Sequence, residues 1–282
     1  MKKKLLTALL LATLLFTLLM AGCSGDDKKS TDSNGSAEDV APKTIVVGCI
    51  AGAGYPPLAF ENEAGEADGV DVRVLKAIDE KLGDYEFEYI YQEMRATLAG
   101  LDSGTLNLGA NMFEYNDERA EKYTYTDSGY MDFSTYIVVL EGTTGFNTLD
   151  DLQGKRVITY PSSNTAYILE SYNEEHPDSP IEIVYSDSMD VQRQSLKSGD
   201  VDATLGTKFG VEMENAQFGS NQLLIEPTIN ESLAYFLFPK KNADPEFEKA
   251  FNTALDDLVA DGTTAKIYDD LFAEWRAGLE NQ

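Results

Sequence analysis

The feature that most constrains the fold is a short pattern that occurs twice, 95 positions apart. Residues 101–107 read Leu-Asp-Ser-Gly-Thr-Leu-Asn, and residues 196–202 read Leu-Lys-Ser-Gly-Asp-Val-Asp. Each copy combines the end of a helical pattern, a glycine that ends the helix and the start of a strand. So short a likeness can arise by chance, but the surrounding pattern repeats as well. The sequence therefore predicts two α/β lobes of similar plan.

Strand and helix patterns alternate around both copies. Residues 44–50 and 85–91 are typical of strands in the first half, as are residues 155–160 and 181–185 in the second. Helical patterns lie between the members of each pair. Alternation of this kind predicts, in each lobe, a mostly parallel sheet covered by helices. The tail after Asp244 predicts further helices with apolar faces.

The first residues predict a leader that is removed. Three lysines follow Met1, and residues 5–20 carry no charge, a run shorter than the roughly 20 apolar residues that span a bilayer. The run ends in Leu-Met-Ala-Gly-Cys, which resembles a bacterial lipobox with Met20 where leucine is usual. We predict a lipoprotein signal peptide over residues 1–22 and lipidation at Cys23. An ordinary secretory signal and a membrane anchor are the alternatives.

The stretch after the leader predicts a flexible acidic tether over residues 23–43. It is rich in Ser, Gly, Asp, Lys, Asn and Glu and has few apolar residues, so it cannot bury enough surface to fold. The mature protein is then expected outside the cytoplasm, lipid-anchored to the bacterial cell membrane. Cys49 is the other cysteine, and packing in the core is its expected role.

The composition argues against several classes of function. With 22 basic against 49 acidic side chains, the chain is not expected to bind nucleic acid. The single histidine, His176, lies in a turn-like stretch, and there is no cysteine cluster, which argues against a zinc site and a Ser-His-Asp enzyme. Residues 52–54 lack the lysine of a phosphate-binding loop and the last glycine of a dinucleotide fingerprint. The sequence predicts no metal and no cofactor.

Residues 111–119, Asn-Met-Phe-Glu-Tyr-Asn-Asp-Glu-Arg, are the first candidate binding segment. They follow a short strand-like run that ends at Leu108, and they are expected to form a polar turn. A turn that ends in an arginine suits a small carboxylate, because Arg119 offers a planar fork of donors and the turn adds amides. The alternative is that Glu118 and Arg119 are solvated charges on a short helix.

Ligands in open α/β sheets lie beyond the carboxyl ends of the strands. In the first lobe this rule places Tyr55 and residues 111–114 at the cleft. In the second lobe it places residues 162–164, Ser-Ser-Asn, and Thr207 there. Residues 162–164 precede a helix, whose free amides and dipole favour an anion. Simple N-capping by Ser163 or Asn164 is the alternative, and the two roles can coexist.

A series of short motifs runs along the chain. They are Gly54-Tyr55-Pro56-Pro57, Gly69-Val70-Asp71-Val72, residues 98–104, Glu118-Arg119, Tyr125-Thr126-Asp127, residues 149–155, Val201-Asp202-Ala203, Ala260-Asp261-Gly262-Thr263 and Lys266-Ile267-Tyr268. No single motif is decisive, but their order and spacing are specific. Taken together, residues 43–275 resemble the bacterial extracellular solute-binding proteins that serve polar amino acid ABC transporters.

The resemblance implies a two-lobed periplasmic-binding-protein-like fold of type II. Residues 44–135 with 235–282 are expected to form the first lobe, and residues 136–234 the second. Two extended crossings, near residues 132–141 and 230–240, are expected to join them. Closure of the lobes around an amino acid, followed by docking on the permease, is the implied mode of action.

The resemblance also implies roles for individual residues. Arg119 is expected to hold the ligand α-carboxylate, helped by the Glu114 amide and by the helix start at Ser163 and Asn164. Tyr55 is expected to pack on the carbon skeleton of the ligand. Asn111 and Met112 are expected to line its polar end.

The chain departs from the family pattern at the pocket. Met94 stands where an aromatic side chain is frequent, so the preference for a ligand side chain is less defined. Thr207 stands where an aspartate usually meets the α-ammonium group, and Glu114 replaces a threonine or serine. One hypothesis is that Glu114 supplies the missing negative charge. The competing hypothesis is that its side chain points away and only its amide contributes.

The implied function is capture of a polar amino acid, or a close derivative such as cystine, for an ABC importer. The second hypothesis is an enzyme on the same fold, since dehydratases and lytic transglycosylases are related to this family and fold does not fix function. Glu114 is the candidate acid for such an enzyme. The third hypothesis is a sensory module that presents its ligand to a receptor.

Overall fold

The computed structural model describes residues 41–50 and 55–280 of the chain. The predicted signal peptide, the lipidation site at Cys23 and the predicted tether up to residue 40 lie outside the described residues. The glycine-containing segment 51–54 does as well. Within the described ranges, no helix has both the length and the hydropathy that a membrane span requires.

The described residues alternate between strands and helices. The strands are β1 (Lys43–Cys49), β2 (Ala59–Glu61), β3 (Ala67–Gly69), β4 (Tyr85–Tyr91), β5 (Leu108–Glu114), β6 (Tyr123–Tyr125), β7 (Met131–Asp132), β8 (Thr135–Leu140), β9 (Arg156–Thr159), β10 (Glu182–Tyr185), β11 (Ala203–Gly206), β12 (Gln222–Asn230) and β13 (Leu233–Pro239). The helices are α1 (Val70–Asp79), α2 (Met94–Ser103), α3 (Asp117–Lys122), α4 (Asn164–Glu175), α5 (Met189–Ser198), α6 (Lys208–Phe218), α7 (Pro245–Ala260) and α8 (Thr263–Glu280). A 3-10 helix covers Leu149–Leu152.

The first lobe is built on a sheet of strand order β4-β1-β5-β13-β6, with β7 paired to β13. Strand β1 runs parallel to both of its neighbours, and Val47 lies opposite Tyr89 on one side and Leu108 on the other. Ile45, Val47 and Cys49 are completely buried, because alternate residues of a strand face the same side of the sheet. Cys49 is therefore a core residue, as expected.

The second lobe repeats the plan of the first. Its sheet has the order β10-β9-β11-β8-β12, so strand β9 lies between β10 and β11 as β1 lies between β4 and β5. Helices α2 and α5 end at Gly104 and Gly199, which have φ of 75° and 78°. This left-handed conformation is open to glycine without the penalty of a side chain. The prediction of two α/β lobes of similar plan is confirmed.

Both sheets are mixed, which corrects the expectation that they are mostly parallel. Strand β13 runs antiparallel to β5, and β8 runs antiparallel to β11 and β12. A parallel neighbour needs a long crossover connection, usually a helix. Strands β8 and β13 each follow a strand of the other sheet directly, so no helical crossover leads into them from a neighbour in their own sheet.

The chain passes between the two sheets at two short crossings that lie side by side. Residues 133–134 lead from β7 to β8, and residues 231–232 lead from β12 to β13. The Phe133 amide donates to the Ser232 carbonyl at 2.9 Å. Both crossings fall inside the predicted segments. The exact limits of the two lobes remain a prediction.

The C-terminal helices return to the first lobe and complete its core. Phe247 and Phe251 of α7 and Phe272 of α8 are at most 1% exposed and share an apolar cluster with Phe236 of β13. Their rings meet largely edge to face; Phe247 and Phe251, for example, lie 5.7 Å apart at 65°. These helices fix one lobe firmly, against which the other can be positioned.

Candidate functional site

Residues 111–114 belong to strand β5, so the prediction of a polar turn after a strand that ends at Leu108 is wrong. Every residue of β5 is buried. Glu114 is polar because its carboxylate lies at the contact between the lobes, where it finds hydrogen-bond donors. The Asn111 side chain instead donates to Thr97 within the first lobe. Polarity at this place therefore does not mark a loop.

Strand β5 contains a bulge beside β13. Gly109 pairs with Leu237 and Phe113 pairs with Tyr235, so β5 is two residues longer than β13 over this stretch. Met112, inside the bulge, has a φ of 47°, a conformation that is uncommon for residues other than glycine. Its amide donates to Asp71 Oδ2 at 3.1 Å. A bulge bends the strand and re-aims the side chains that follow it.

Arg119 is buried between the two lobes. It lies in the first turn of α3, where its amide donates to the Asn116 side chain at 2.8 Å, a standard N-cap. The guanidinium donates through Nη1 to the Glu114 carbonyl at 3.2 Å and through Nη2 to the Ser162 carbonyl at 2.8 Å. With 7% of Arg119 exposed, the alternative of a solvated charge is wrong for this residue. Glu118, in contrast, forms an exposed pair with Lys122.

The Glu114 carboxylate also lies at the contact between the lobes. Its Oε1 accepts from Asn164 Nδ2 at 3.0 Å and from the Thr135 hydroxyl at 3.2 Å. Only 7% of the residue is exposed. Burial raises the pKa of this carboxyl to about 7, although the Asn164 hydrogen bond, the Arg119 charge and Thr135 each lower it. Glu114 is thus an acid that can change its charge near neutral pH.

The start of α4 forms the facing wall in the second lobe. Ser163 caps the helix, accepting from the Ala166 amide at 3.1 Å. Asn164 contacts the first lobe twice, through Glu114 and by accepting from Asn116 Nδ2 at 3.0 Å. N-capping and contact across the lobes therefore coexist on neighbouring residues.

Tyr55 and Thr207 approach each other from opposite lobes. The Thr207 hydroxyl accepts from the Gly210 amide at 3.2 Å and caps α6. A β-carbon placed on Gly210 would lie 3.3 Å from the Tyr55 hydroxyl, so the ring reaches the start of that helix. Burial raises the pKa of Tyr55, and its hydroxyl remains protonated at neutral pH.

The remaining predicted contacts lie on the first-lobe side. The Met94 sulfur is 3.9 Å from Arg119 Nη2. Asn111 donates to the Thr97 hydroxyl at 3.1 Å, while its Oδ1 is buried and has no hydrogen-bond partner among the described residues. Met112 packs into the core of the first lobe. The structure thus brings Met94, Glu114, Arg119 and Asn164 together, while Asn111 and Met112 contact the interior of the first lobe.

Sequence reasoning placed residues 111–119 and 162–164 at the site but assigned no role to Asn116 or Ser162, and it missed Thr135. Asn116 carried a usable signal, because an asparagine before Asp-Glu-Arg is a good N-cap. Ser162 has a φ of 65° and contributes only its carbonyl to Arg119, and Thr135 begins a strand of the second sheet. The local sequence does not indicate either of these contacts.

The arrangement joins one buried cation, one buried acid and neutral hydrogen-bonding groups. The guanidinium can hold a carboxylate through two parallel hydrogen bonds. The acid can accept hydrogen bonds from an ammonium group. Such a pair suits a small molecule that carries both charges.

Comparison with known proteins points to one family. Residues 46–274 match the model of the bacterial extracellular solute-binding proteins, family 3. The L-cystine-binding protein TcyJ of Bacillus subtilis (strain 168) is 33% identical over 234 residues, which cover 82% of each chain. TcyK of the same organism, also an L-cystine-binding protein, is 30% identical over 226 residues, or 80% of this chain and 82% of that one.

Solved structures give the same result for the fold. A putative L-cystine ABC transporter protein from Listeria monocytogenes superimposes with a TM-score of 0.72 at 31% identity, covering 81% of this chain and 95% of that one. An ancestral arginine-binding protein bound to arginine superimposes with a TM-score of 0.67 at 26% identity, covering 81% and 98%. The expected two-lobed fold of the type II periplasmic binding proteins is confirmed.

Proposed function

We propose that the chain, which belongs to family 3 of the bacterial extracellular solute-binding proteins, captures a polar amino acid for an ABC importer. The observation that carries the proposal is the buried pair of Arg119 and Glu114, each of which contacts both lobes. The ligand lies between the first lobe, residues 44–135 with 235–282, and the second lobe, residues 136–234.

Arg119 holds the α-carboxylate of the amino acid. Its Nη2 now donates to the Ser162 carbonyl at 2.8 Å, and a ligand carboxylate is a stronger acceptor than a neutral carbonyl because it is charged. The carboxylate therefore takes the place of the Ser162 carbonyl. The Glu114 amide and the helix start at Ser163 and Asn164 add donors to the same oxygen atoms.

Glu114 receives the α-ammonium group. Two observations support this role over that of Thr207, which stands where the family usually has an aspartate. The Thr207 hydroxyl is engaged in capping α6, whereas the Glu114 carboxylate is buried at the contact and accepts hydrogen bonds from neutral donors. An ammonium ion there neutralises a charge that burial otherwise disfavours.

The rest of the ligand meets Tyr55, Met94, Asn111 and Thr207, while the Met112 side chain packs into the core of the first lobe. Cystine is the first ligand to test, since two relatives at 30% identity or more are cystine-binding proteins. Cystine carries a second ammonium group, which suits the Asn111 Oδ1, an acceptor without a partner among the described residues.

The delivery route follows from the sequence. Cys23, once lipidated, anchors the mature protein to the outer face of the bacterial cell membrane, and residues 23–43 tether it there. Closure of the two lobes commits the ligand, and the closed form docks on the permease.

The test is a thermal-shift screen against the standard amino acids and L-cystine. A ligand at 100 times its Kd adds about 2.7 kcal/mol to the free energy of unfolding, so the true ligand raises Tm by several degrees. The folded Arg119→Met variant should give no shift with the same compound. If no amino acid stabilises the folded wild type, the proposed function is wrong.

An enzyme on the same fold is the competing function, and the raised pKa of Glu114 is the observation that favours it, since general acids need such values. Mass spectrometry of each stabilising compound after long incubation separates the two. A binding protein returns the compound unchanged, whereas a product that disappears in Glu114→Gln identifies an enzyme.

A further inference from the structure

We propose that Asp71 is a positioning residue of the ligand site: it holds Met112 in its left-handed conformation and so aims the end of β5 at the ligand. The inference rests on the proposed function, because it assigns Asp71 a role toward the captured amino acid. Asp71 lies in the core of the first lobe, so it acts on binding through the strand.

The Asp71 carboxylate is fixed by two hydrogen bonds. It belongs to the first turn of α1 and is 1% exposed. Oδ2 accepts from the Met112 amide at 3.1 Å, and Oδ1 accepts from the Tyr130 hydroxyl. Tyr130 is itself buried and stacked on Phe236, with ring centroids 4.5 Å apart. One oxygen is thus held by a packed ring, and the other acts on β5.

A carboxylate is a costly side chain at this position. Val70 and Val72 beside it are buried, and burial raises the pKa of Asp71 to about 6. Among the described groups that act on it, hydrogen bonds from Tyr130 and Met112 oppose this effect, and no lysine or arginine is present. An apolar side chain would fill such a place at lower cost. What the acid supplies is the acceptor for the Met112 amide.

The backbone conformation of Met112 requires stabilisation by another residue. At φ 47° a side chain with a β-carbon is strained, and without its acceptor the amide would be a buried donor left unpaired. Release of the amide lets the backbone return toward the extended conformation. The two extra residues between Gly109 and Phe113 would then take another arrangement, which turns the side chains that follow.

The residues that follow are those on which the site depends. The Glu114 carboxylate reaches Asn164 in the second lobe. The Glu114 carbonyl accepts from Arg119 Nη1 at 3.2 Å and from the Tyr125 hydroxyl at 3.0 Å. A rotation at Met112 therefore displaces both the acid and the guanidinium. Asp71 sets the geometry of the charged pair without touching either member.

The first experiment needs no ligand. Hydrogen exchange is compared between wild type, Asp71→Asn, which keeps an acceptor oxygen, and Asp71→Leu, which has a similar shape and no acceptor. We expect amides 112–114 to exchange at least about tenfold faster in Asp71→Leu, with little change in Asp71→Asn and none in the second-lobe strand β9. Equal exchange in wild type and Asp71→Leu overturns the proposal.

The second experiment measures affinity for L-cystine, or for the amino acid with the largest thermal shift, by calorimetry. Asp71→Leu should weaken binding about tenfold. In that background Met112→Gly should bind at least about threefold more tightly than Met112→Ala, since both lose the side chain but only glycine adopts positive φ freely. In wild type the same two variants should differ less.

The outcomes separate the two proposals. If no amino acid binds to the wild type, the proposed function fails, while hydrogen exchange still decides the role of Asp71. If the amino acid binds but Met112→Gly and Met112→Ala are equal both in wild type and in the Asp71→Leu background, the positioning role is wrong. Should Asp71→Leu not fold, Asp71→Val, which also lacks an acceptor and is smaller, replaces it in both experiments, with the same expected directions and the same overturning results.

Discussion

The Arg119 guanidinium donates to the Ser162 carbonyl across the two lobes, at 2.8 Å. This contact occupies a donor that the proposed function assigns to a ligand carboxylate. Ligand and Ser162 therefore compete for one side chain, and the ligand favours closure only through the additional contacts it makes in the closed form.

Replacement of Arg119 by methionine should weaken amino acid binding by about 100-fold or more, because loss of one partner of a buried charge pair costs about 2–5 kcal/mol. Calorimetry measures the effect. Glu118→Gln is the matched control, since Glu118 is exposed and pairs with Lys122. Full affinity in Arg119→Met contradicts the assigned carboxylate contact.

Replacement of Glu114 by glutamine should weaken binding by about tenfold or more, since a hydrogen bond to a charged group contributes about 1.5–3 kcal/mol. Thr207→Ala should instead lower the free energy of unfolding by about 1 kcal/mol through loss of a helix cap. Calorimetry and urea unfolding on both variants distinguish these effects. Unchanged affinity in both leaves no support for a charge moved from position 207 to position 114.

Affinity should rise with pH between about 5 and 8, because Glu114 has a pKa of about 7 and only its ionised form neutralises an ammonium group. Binding then releases a proton at about pH 6, which calorimetry in buffers of different ionisation enthalpy detects. Glu114→Gln should flatten the profile.

The contribution of Glu114 to the stability of the ligand-free protein should depend on pH in the opposite sense. The pKa of folded Glu114, about 7, lies above the usual value of 4.5, so its contribution is complete below 4.5 and is lost as the pH rises through 7. Asp71, with a raised pKa of about 6, acts in the same direction. Urea unfolding of wild type and Glu114→Gln isolates the contribution of Glu114 to the free energy of unfolding. If that contribution decreases on acidification from about pH 8 to about 5, the prediction is contradicted.

Phe209→Ala should lower the free energy of unfolding by about 3–5 kcal/mol, as expected for a buried phenylalanine. Although Phe209 belongs to α6 of the second lobe, it is 4% exposed within the first-lobe core, 5.2 Å from the Phe133 ring. Phe218→Ala on the same helix is the control, because Phe218 is 41% exposed. Equal losses in urea unfolding would show that Phe209 does not join the lobes.

Cys23→Ser should abolish labelling by fatty acids and release the protein from the membrane fraction of a bacterial host. The sequence resembles a lipobox at this position, and the Cys23 thiol is the predicted attachment point. Cys49→Ser should keep the label, because Cys49 is a fully buried core residue. A labelled Cys23→Ser protein contradicts the predicted lipidation.

Local patterns were enough to predict the plan of each lobe. The helix stops at Gly104 and Gly199 depend on the conformational freedom of one residue, so they can be recognised from sequence. The bulge at Met112 could not be, because its amide is held by Asp71, on a different element of the fold. Glu114, two residues further on, resembles a loop residue in the sequence, because its partner Asn164 belongs to the second lobe.

The same limit applies to the candidate site. Arg119 could be predicted as a carboxylate ligand, because its guanidinium offers a planar fork of donors. The position of Ser162 at the cleft was predicted, but its contact with Arg119 and the contact of Thr135 with Glu114 could not be, because both depend on how the lobes meet. The direction of β8 and β13 was missed because a strand pattern is the same in both directions.

The two crossings are hydrogen-bonded to each other through Phe133 and Ser232, so the proposed closure would turn the lobes about a single hinge axis. Thr135, which donates to Glu114, follows one crossing directly, so this contact lies near that axis and would move little. Displacement grows with distance from a hinge axis. Spectroscopic labels placed far from the crossings would therefore report opening with greater sensitivity than any probe beside Glu114.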